Sequence, residues 1–158
     1  MPKITALIHA SATDARRLGR LLETLRPCDE VLIVNIDSAE DVTRIAREYG
    51  ASIKNGVPGV SPGTYLMDAR NDWILSLLPS ESLTEGLEAS LFEWKAQDHD
   101  ISESFSVRLR EETANGWTKH PAVTRLVNRE AVNWISNLPK NDPRSQLLAG
   151  DLLRFANP

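Results

Sequence analysis

The chain has 158 residues, 41% of them hydrophobic and 25% charged, which suits one domain that buries a single core without disulfides or structural metal. Its formal net charge is -4, with Lys and Arg scattered throughout, so a nucleic-acid partner, which demands a basic face, is not expected. The lone Cys28, the lack of a secretory h-region after Met-Pro-Lys and the absence of any apolar run near ~20 residues predict a cytoplasmic protein with no transmembrane segment.

In chain order, the apolar run from Ile4 to His9 reads as a strand, with His9 expected as a satisfied core histidine. A helix from Thr13 to Leu25 follows, with Leu18, Leu21, Leu22 and Leu25 on one face and Ser11 or Thr13 as the cap. Asp14 favours the positive end of that helix, and Arg16, Arg17 and Arg20 form its solvated side. Glu30 to Asn35 lacks polar alternation and predicts a strand covered on both faces of a parallel sheet. Ser38 is expected to cap a second helix that runs to Tyr49 and stops at Gly50, before a short strand over 51–54.

Asn55 to Gly63 holds three Gly and two Pro and predicts a loop, with order resuming near Tyr65. Asp72 to Leu77 predicts a fourth buried strand, and Ser82 or Thr84 opens a helix that buries Leu87, Leu91 and Trp94. In the last third, Ser104 to Leu109 alternates with period two, Val123 to Asn128 reads as another strand, and Asn115-Gly116 is the expected turn between them. Asp98-His99-Asp100 is read as a solvated connection.

Three stretches resemble one family when taken together and in order. Val34-Asn35-Ile36-Asp37-Ser38-Ala39-Glu40-Asp41, continuing without a gap to Gly50-Ala51, is similar to a V-D-S-G-S-T-D-G run. Asp72-Trp73-Ile74-Leu75-Ser76-Leu77-Leu78-Pro79-Ser80-Glu81-Ser82-Leu83-Thr84 is similar to D-W-I-L-x-L-D-A-D-E-x-L-T, and Arg125-Leu126-Val127-Asn128-Arg129 to R-L-F-R-R, with Gly150-Asp151-Leu152-Leu153 like a later segment. The resemblance is to the family-2 glycosyltransferases of the GT-A fold, especially small bacterial members that decorate lipopolysaccharide cores. It implies an α/β, GT-A-like (nucleotide-diphospho-sugar transferase) three-layer sandwich, with a mostly parallel central sheet and an antiparallel C-terminal part, as a single domain over 1–158.

The resemblance also implies chemistry that the residues here only partly supply. The family neutralises the leaving pyrophosphate with a divalent cation on a D-x-D pair, and those aspartates fall on Leu78 and Ser80. Glu81 is left as the one carboxylate for a weakly held divalent cation, or as a residue favouring the next helix start. The implied nucleotide-binding positions are Asp14, Asn35 and Asp37, with the Asn35 amide facing a uracil-like edge and Asp37 near the diphosphate path. The family's base region maps onto Leu138-Pro139-Lys140, so no catalytic base is assigned.

The resulting expectation is a degenerate glycosyltransferase-like pseudoenzyme with a nucleotide or nucleotide-sugar as ligand and no cofactor beyond a weakly held divalent cation. One alternative is an active metal-independent transferase in which Glu81 and arginines such as Arg70 or Arg154 replace the cation. The other is a protein-interaction module, a homo-oligomer or the partner of a full-length glycosyltransferase, anchored by Trp117, Trp134, Leu152, Leu153 and Phe155.

Overall fold

The computed structural model describes residues 1–131, 134 and 136–156. Four strands, β1 (Ile4–Ala10), β2 (Glu30–Asn35), β3 (Ser52–Asn55) and β4 (Trp73–Leu77), run parallel, with β1 between β2 and β4 and β3 at the edge. All seven residues of β1 and all five of β4 are buried, which explains why neither shows polar alternation: both faces of these strands are covered. On one face, Ile4, Ala6 and Ile8 pack with Leu18 and Leu21 of α1 (Ala15–Leu22), Val42 and Ala46 of α2 (Glu40–Glu48), and Leu87, Leu91 and Trp94 of α3 (Glu85–Lys95). On the other, Leu7, Leu32 and Ile74 pack with Tyr65 and Leu66 from a 3-10 segment over Pro62–Asp68, and with Trp134.

Four further strands extend the sheet: β5 (Glu81–Leu83), β6 (Ser104–Thr113), β7 (Gly116–Asn128) and β8 (Gln146–Arg154). The whole is one eight-stranded mixed sheet in the order β3-β2-β1-β4-β7-β6-β8-β5. Its C-terminal part is not antiparallel throughout, as expected, because β8 runs parallel to β6 while β7 opposes both β4 and β6. The β6–β7 hairpin turns at Asn115-Gly116 as its sequence predicts, with Gly116 at φ +107°. Only Leu126 to Asn128 of β7 pair with β4, so the exposed residues 116–122 carry the hairpin past the C-terminal end of β4.

The caps differ from expectation in instructive ways. Ser11 starts a 3-10 turn over Ala12–Asp14, its N–H donating to the Asp14 carboxylate at 2.9 Å, and α1 begins only at Ala15. The helix ends at Leu22 rather than Leu25, where the Thr24 hydroxyl donates to the Leu21 carbonyl. Ser38 does not cap α2: it sits at φ +53°, Ala39 occupies the cap position without a side-chain hydrogen bond, and the Asn35 side chain accepts the Ala39 N–H at 3.0 Å. For α3, Thr84 is the cap, accepting the Leu87 N–H, while Ser82 lies in β5.

Candidate functional site

Ligands of parallel sheets sit in the crevice outside the carboxyl ends of the strands, and the implied nucleotide residues gather at that edge. Asp14 is held by the Ser11 N–H and by Arg17 at 2.6 Å, and these contacts together draw its carboxyl below the usual carboxylate range despite the opposing effect of burial. Asp37 accepts the Ala12 N–H at 3.1 Å, tying the end of β2 to the 3-10 turn after β1. Asn35 is fully buried, and its amide donates to the Ala39 carbonyl and the Thr43 hydroxyl while accepting from the Ala39 N–H. The expected contact of its amide with a nucleobase is therefore corrected: both ends of that group are engaged in holding the start of α2.

Beside these residues a cavity of about 320 Å³ opens over the ends of β1 and β2, lined by His9, Val34, Ile36, Gly56, Val57 and Tyr65 among others. Tyr65 meets His9 edge to face at 6.0 Å and its hydroxyl accepts the Val57 N–H at 2.7 Å, fixing the loop that roofs the cavity. His9 is not the satisfied core histidine its sequence position suggested. Its Nε2 is buried with no partner among the described residues, and burial pulls its pKa down to about 4, so the ring is neutral at pH 7. The cavity thus has apolar walls beside a buried, neutral imidazole and the Tyr65 ring.

The turn after β4 is where the family's cation would stand. Leu78-Pro79-Ser80 occupies it, and Glu81 behind it is fully buried in β5. Its Oε1 accepts from Arg125 Nη1 at 2.6 Å and from the Leu78 N–H at 2.7 Å, and its Oε2 accepts from Arg125 Nη2 at 2.8 Å and Arg154 Nη2 at 3.1 Å. Arg125 reaches it because β7 carries a bulge there: the register steps from Phe105–Leu126 to Ser106–Thr124 and leaves Arg125 without a strand partner. A leucine, a neutral hydroxyl and a carboxylate saturated by two guanidinium groups do not fit a hard divalent cation. The reading of Glu81 as a cation ligand is corrected accordingly, and so is the simpler reading of it as a helix-start residue.

The remaining candidates lie elsewhere. Arg70 pairs with Glu30 at 3.4 Å, at the opposite end of β2 from the ligand edge, and Arg154 is shared between Glu81 and Glu111. His99 is not on a solvated connection: its ring stacks on Trp94 at 4.3 Å and its Nε2 lies 2.8 Å from the Trp94 carbonyl. His120 faces Glu111 at 3.3 Å. Of the arginines of α1, Arg16 is exposed, whereas Arg17 binds Asp14 and Arg20 lies over the Phe155 ring. Leu152 and Trp134 are core residues and Trp117 is exposed. Leu138, Pro139 and Lys140 carry no carboxylate or imidazole. Among the described residues no helix is long and apolar enough to cross a membrane, and no three His, Cys, Asp or Glu side chains gather as a metal site.

No family model matches the sequence, and no curated protein matches it. Among solved structures, the chain is similar in fold to mannosyl-3-phosphoglycerate synthase from Rubrobacter xylanophilus, at 14% identity and a TM-score of 0.55, covering 70% of this chain and 41% of that one. It is similar to the structure of a mycobacterial protein at 13% identity and a TM-score of 0.54, covering 71% of this chain and 42% of that one. At these identities the likenesses show a shared fold. The chain spans about two fifths of the length of the solved proteins it matches.

Proposed function

We propose that residues 1–158 form one glycosyltransferase-like domain of the GT-A type that binds a nucleotide, or the nucleotide part of a nucleotide-sugar, and has lost metal-dependent sugar transfer. The observation that carries this reading is the turn after β4, where Leu78 and Ser80 replace ligands and Glu81 is closed off by Arg125 and Arg154. Pyrophosphate departure needs its developing charge neutralised. The arginines nearest the turn do not supply that neutralisation, since Glu81 and Glu111 already engage them. Nucleotide binding makes no such demand: His9 and Tyr65 would face the base, while Asp14, Asn35 and Asp37 hold the loops that shape the edge.

Calorimetric titration of the purified chain with UDP, GDP and their sugars, with and without Mn2+, tests the reading. Micromolar binding of at least one nucleotide, changed less than about twofold by Mn2+, is the expected result (a twofold change is about 0.4 kcal/mol). Affinity that rises tenfold or more with Mn2+, or turnover of a nucleotide-sugar, would overturn the loss of metal-dependent transfer. No heat with any nucleotide would remove the binding role.

A further inference from the structure

The β6–β7 hairpin carries charges that the nucleotide reading does not use. A cavity of about 240 Å³ is lined by Arg108, Leu109, Arg110, Lys119, His120 and Asp151, and it shares no lining residue with the His9 cavity. Arg108 and Arg110, two apart on β6, both line the first of these cavities. In register, Arg110 stands directly opposite Lys119 on β7, and Arg108 opposite Asp151 on β8. Two cations facing each other across a ladder are mutually destabilising unless an anion lies between them.

The carboxylate at hand does not discharge the group. Asp151 pairs with Arg110 Nε at 2.8 Å, and among the described residues Arg108 and Lys119 have no carboxylate partner. Three permanent positive charges thus meet one carboxylate in a concave site, on a chain whose net charge is -4. The site is also rigidly built. The Thr84 hydroxyl donates to the Asp151 carbonyl at 2.7 Å and the Asp151 N–H lies 3.1 Å from the same hydroxyl, so Asp151 is fixed from α3's cap and in turn orients the Arg110 guanidinium.

We propose that this cavity is an anion site that takes a small phosphate monoester. A phosphate presents three oxygens to two guanidinium groups and an ammonium, the donor set that binds it best. At about 240 Å³ the cavity falls below the ~300–1,000 Å³ of sites for drug-sized molecules, so it admits a phosphate with a few carbons and not a nucleotide. Residues 116–122 carry it beyond the end of β4, on the ligand edge of the sheet.

The test is a titration with inorganic phosphate and with glycerol phosphate at constant ionic strength, against chloride, followed by amide shifts in 15N spectra. The expected result is saturable shifts confined to residues 108–110, 119–120 and 151, with affinity lowered at least tenfold in Arg108→Gln/Lys119→Gln. The two single variants, each expected to lower affinity at least threefold, serve if the double variant fails to fold. Shifts that chloride reproduces, affinity unchanged in the variants, or binding only to vesicles containing phosphatidic acid and not to the free ester would overturn the proposal. Phosphate binding here does not depend on the His9 cavity, so a protein that binds the ester and no nucleotide keeps this site and loses the nucleotide reading.

Discussion

Burial holds the His9 imidazole neutral at pH 7, with its pKa near 4 in the folded chain. An unfolded histidine titrates near 6.5, so between these values the unfolded state binds the additional proton and stability falls as the pH is lowered. At pH 4.5 the loss attributable to this ring is about 2.5 kcal/mol. Urea unfolding of the wild type and His9→Gln at pH 7 and pH 4.5 measures it: the wild type should lose more stability on acidification by about that amount, and equal losses would contradict the assignment. The ring's place at the end of a buried strand was legible from the Ile4–His9 run. Its free nitrogen was not, because the residue it meets, Tyr65, arrives from a segment some fifty positions later that the sequence marks only by its glycines and prolines. Asn35 and Glu81 mislead in the same way. Residue type announces hydrogen-bonding capacity, and only the fold shows that Ala39 and Thr43, or Arg125 and Arg154, have already taken it up.

Elements whose partners are close in the chain could be read before the fold was seen. β1 to β3 and the helices between them alternate over short connections, and their apolar runs are local signals; the cap of α2 was less legible, since Ser38 turns out not to supply it. β5 and β8 are different. β5 has three residues and exists only because Arg154 to Leu152 pair with it some seventy positions away, while β8 bulges between its pairings with Ser106 and Arg108, which blurs any two-residue period. Gly150 makes that bulge possible: it sits at φ +92°, and a Cβ there would stand 2.2 Å from the Leu87 backbone nitrogen. Gly150→Ala must therefore push β8 off the start of α3 and is expected to cost more than about 3 kcal/mol, lowering the melting temperature by roughly 6–12 °C. Gly59→Ala is the control, since Gly59 also has positive φ but nothing within 4 Å of its Cβ position. If the two variants melt together, close packing against α3 is not what Gly150 provides.

At the scale of the whole molecule, the parallel half and the long hairpin are joined by few local connections, and one buried ion cluster bridges them. Glu81, just past β4, takes Arg125 from β7 and Arg154 from β8, residues 44 and 73 positions away. Arg125 is 1% exposed, so deleting its carboxylate leaves a guanidinium in the interior with only the Ser76 carbonyl at 3.1 Å to satisfy it. Breaking a buried pair in this way costs about 3–5 kcal/mol, roughly a fifth or more of the ~5–15 kcal/mol that holds a typical domain folded. Glu81→Gln should accordingly lower the urea midpoint sharply in metal-free buffer, and because the side-chain size is kept while one acceptor oxygen becomes an NH2 donor facing N–H groups, the loss reports charge and lost acceptance rather than packing. Replacing both partners, as in Glu81→Leu/Arg125→Met, should recover part of it, since no lone charge then remains buried. A cation-binding Glu81 makes the opposite pattern: little change without metal, and loss of a stabilisation that Mn2+ gives the wild type. Melting curves of wild type and Glu81→Gln with EDTA and with Mn2+ separate the two, and a metal-dependent difference between them would return Glu81 to the role that the family motif implies.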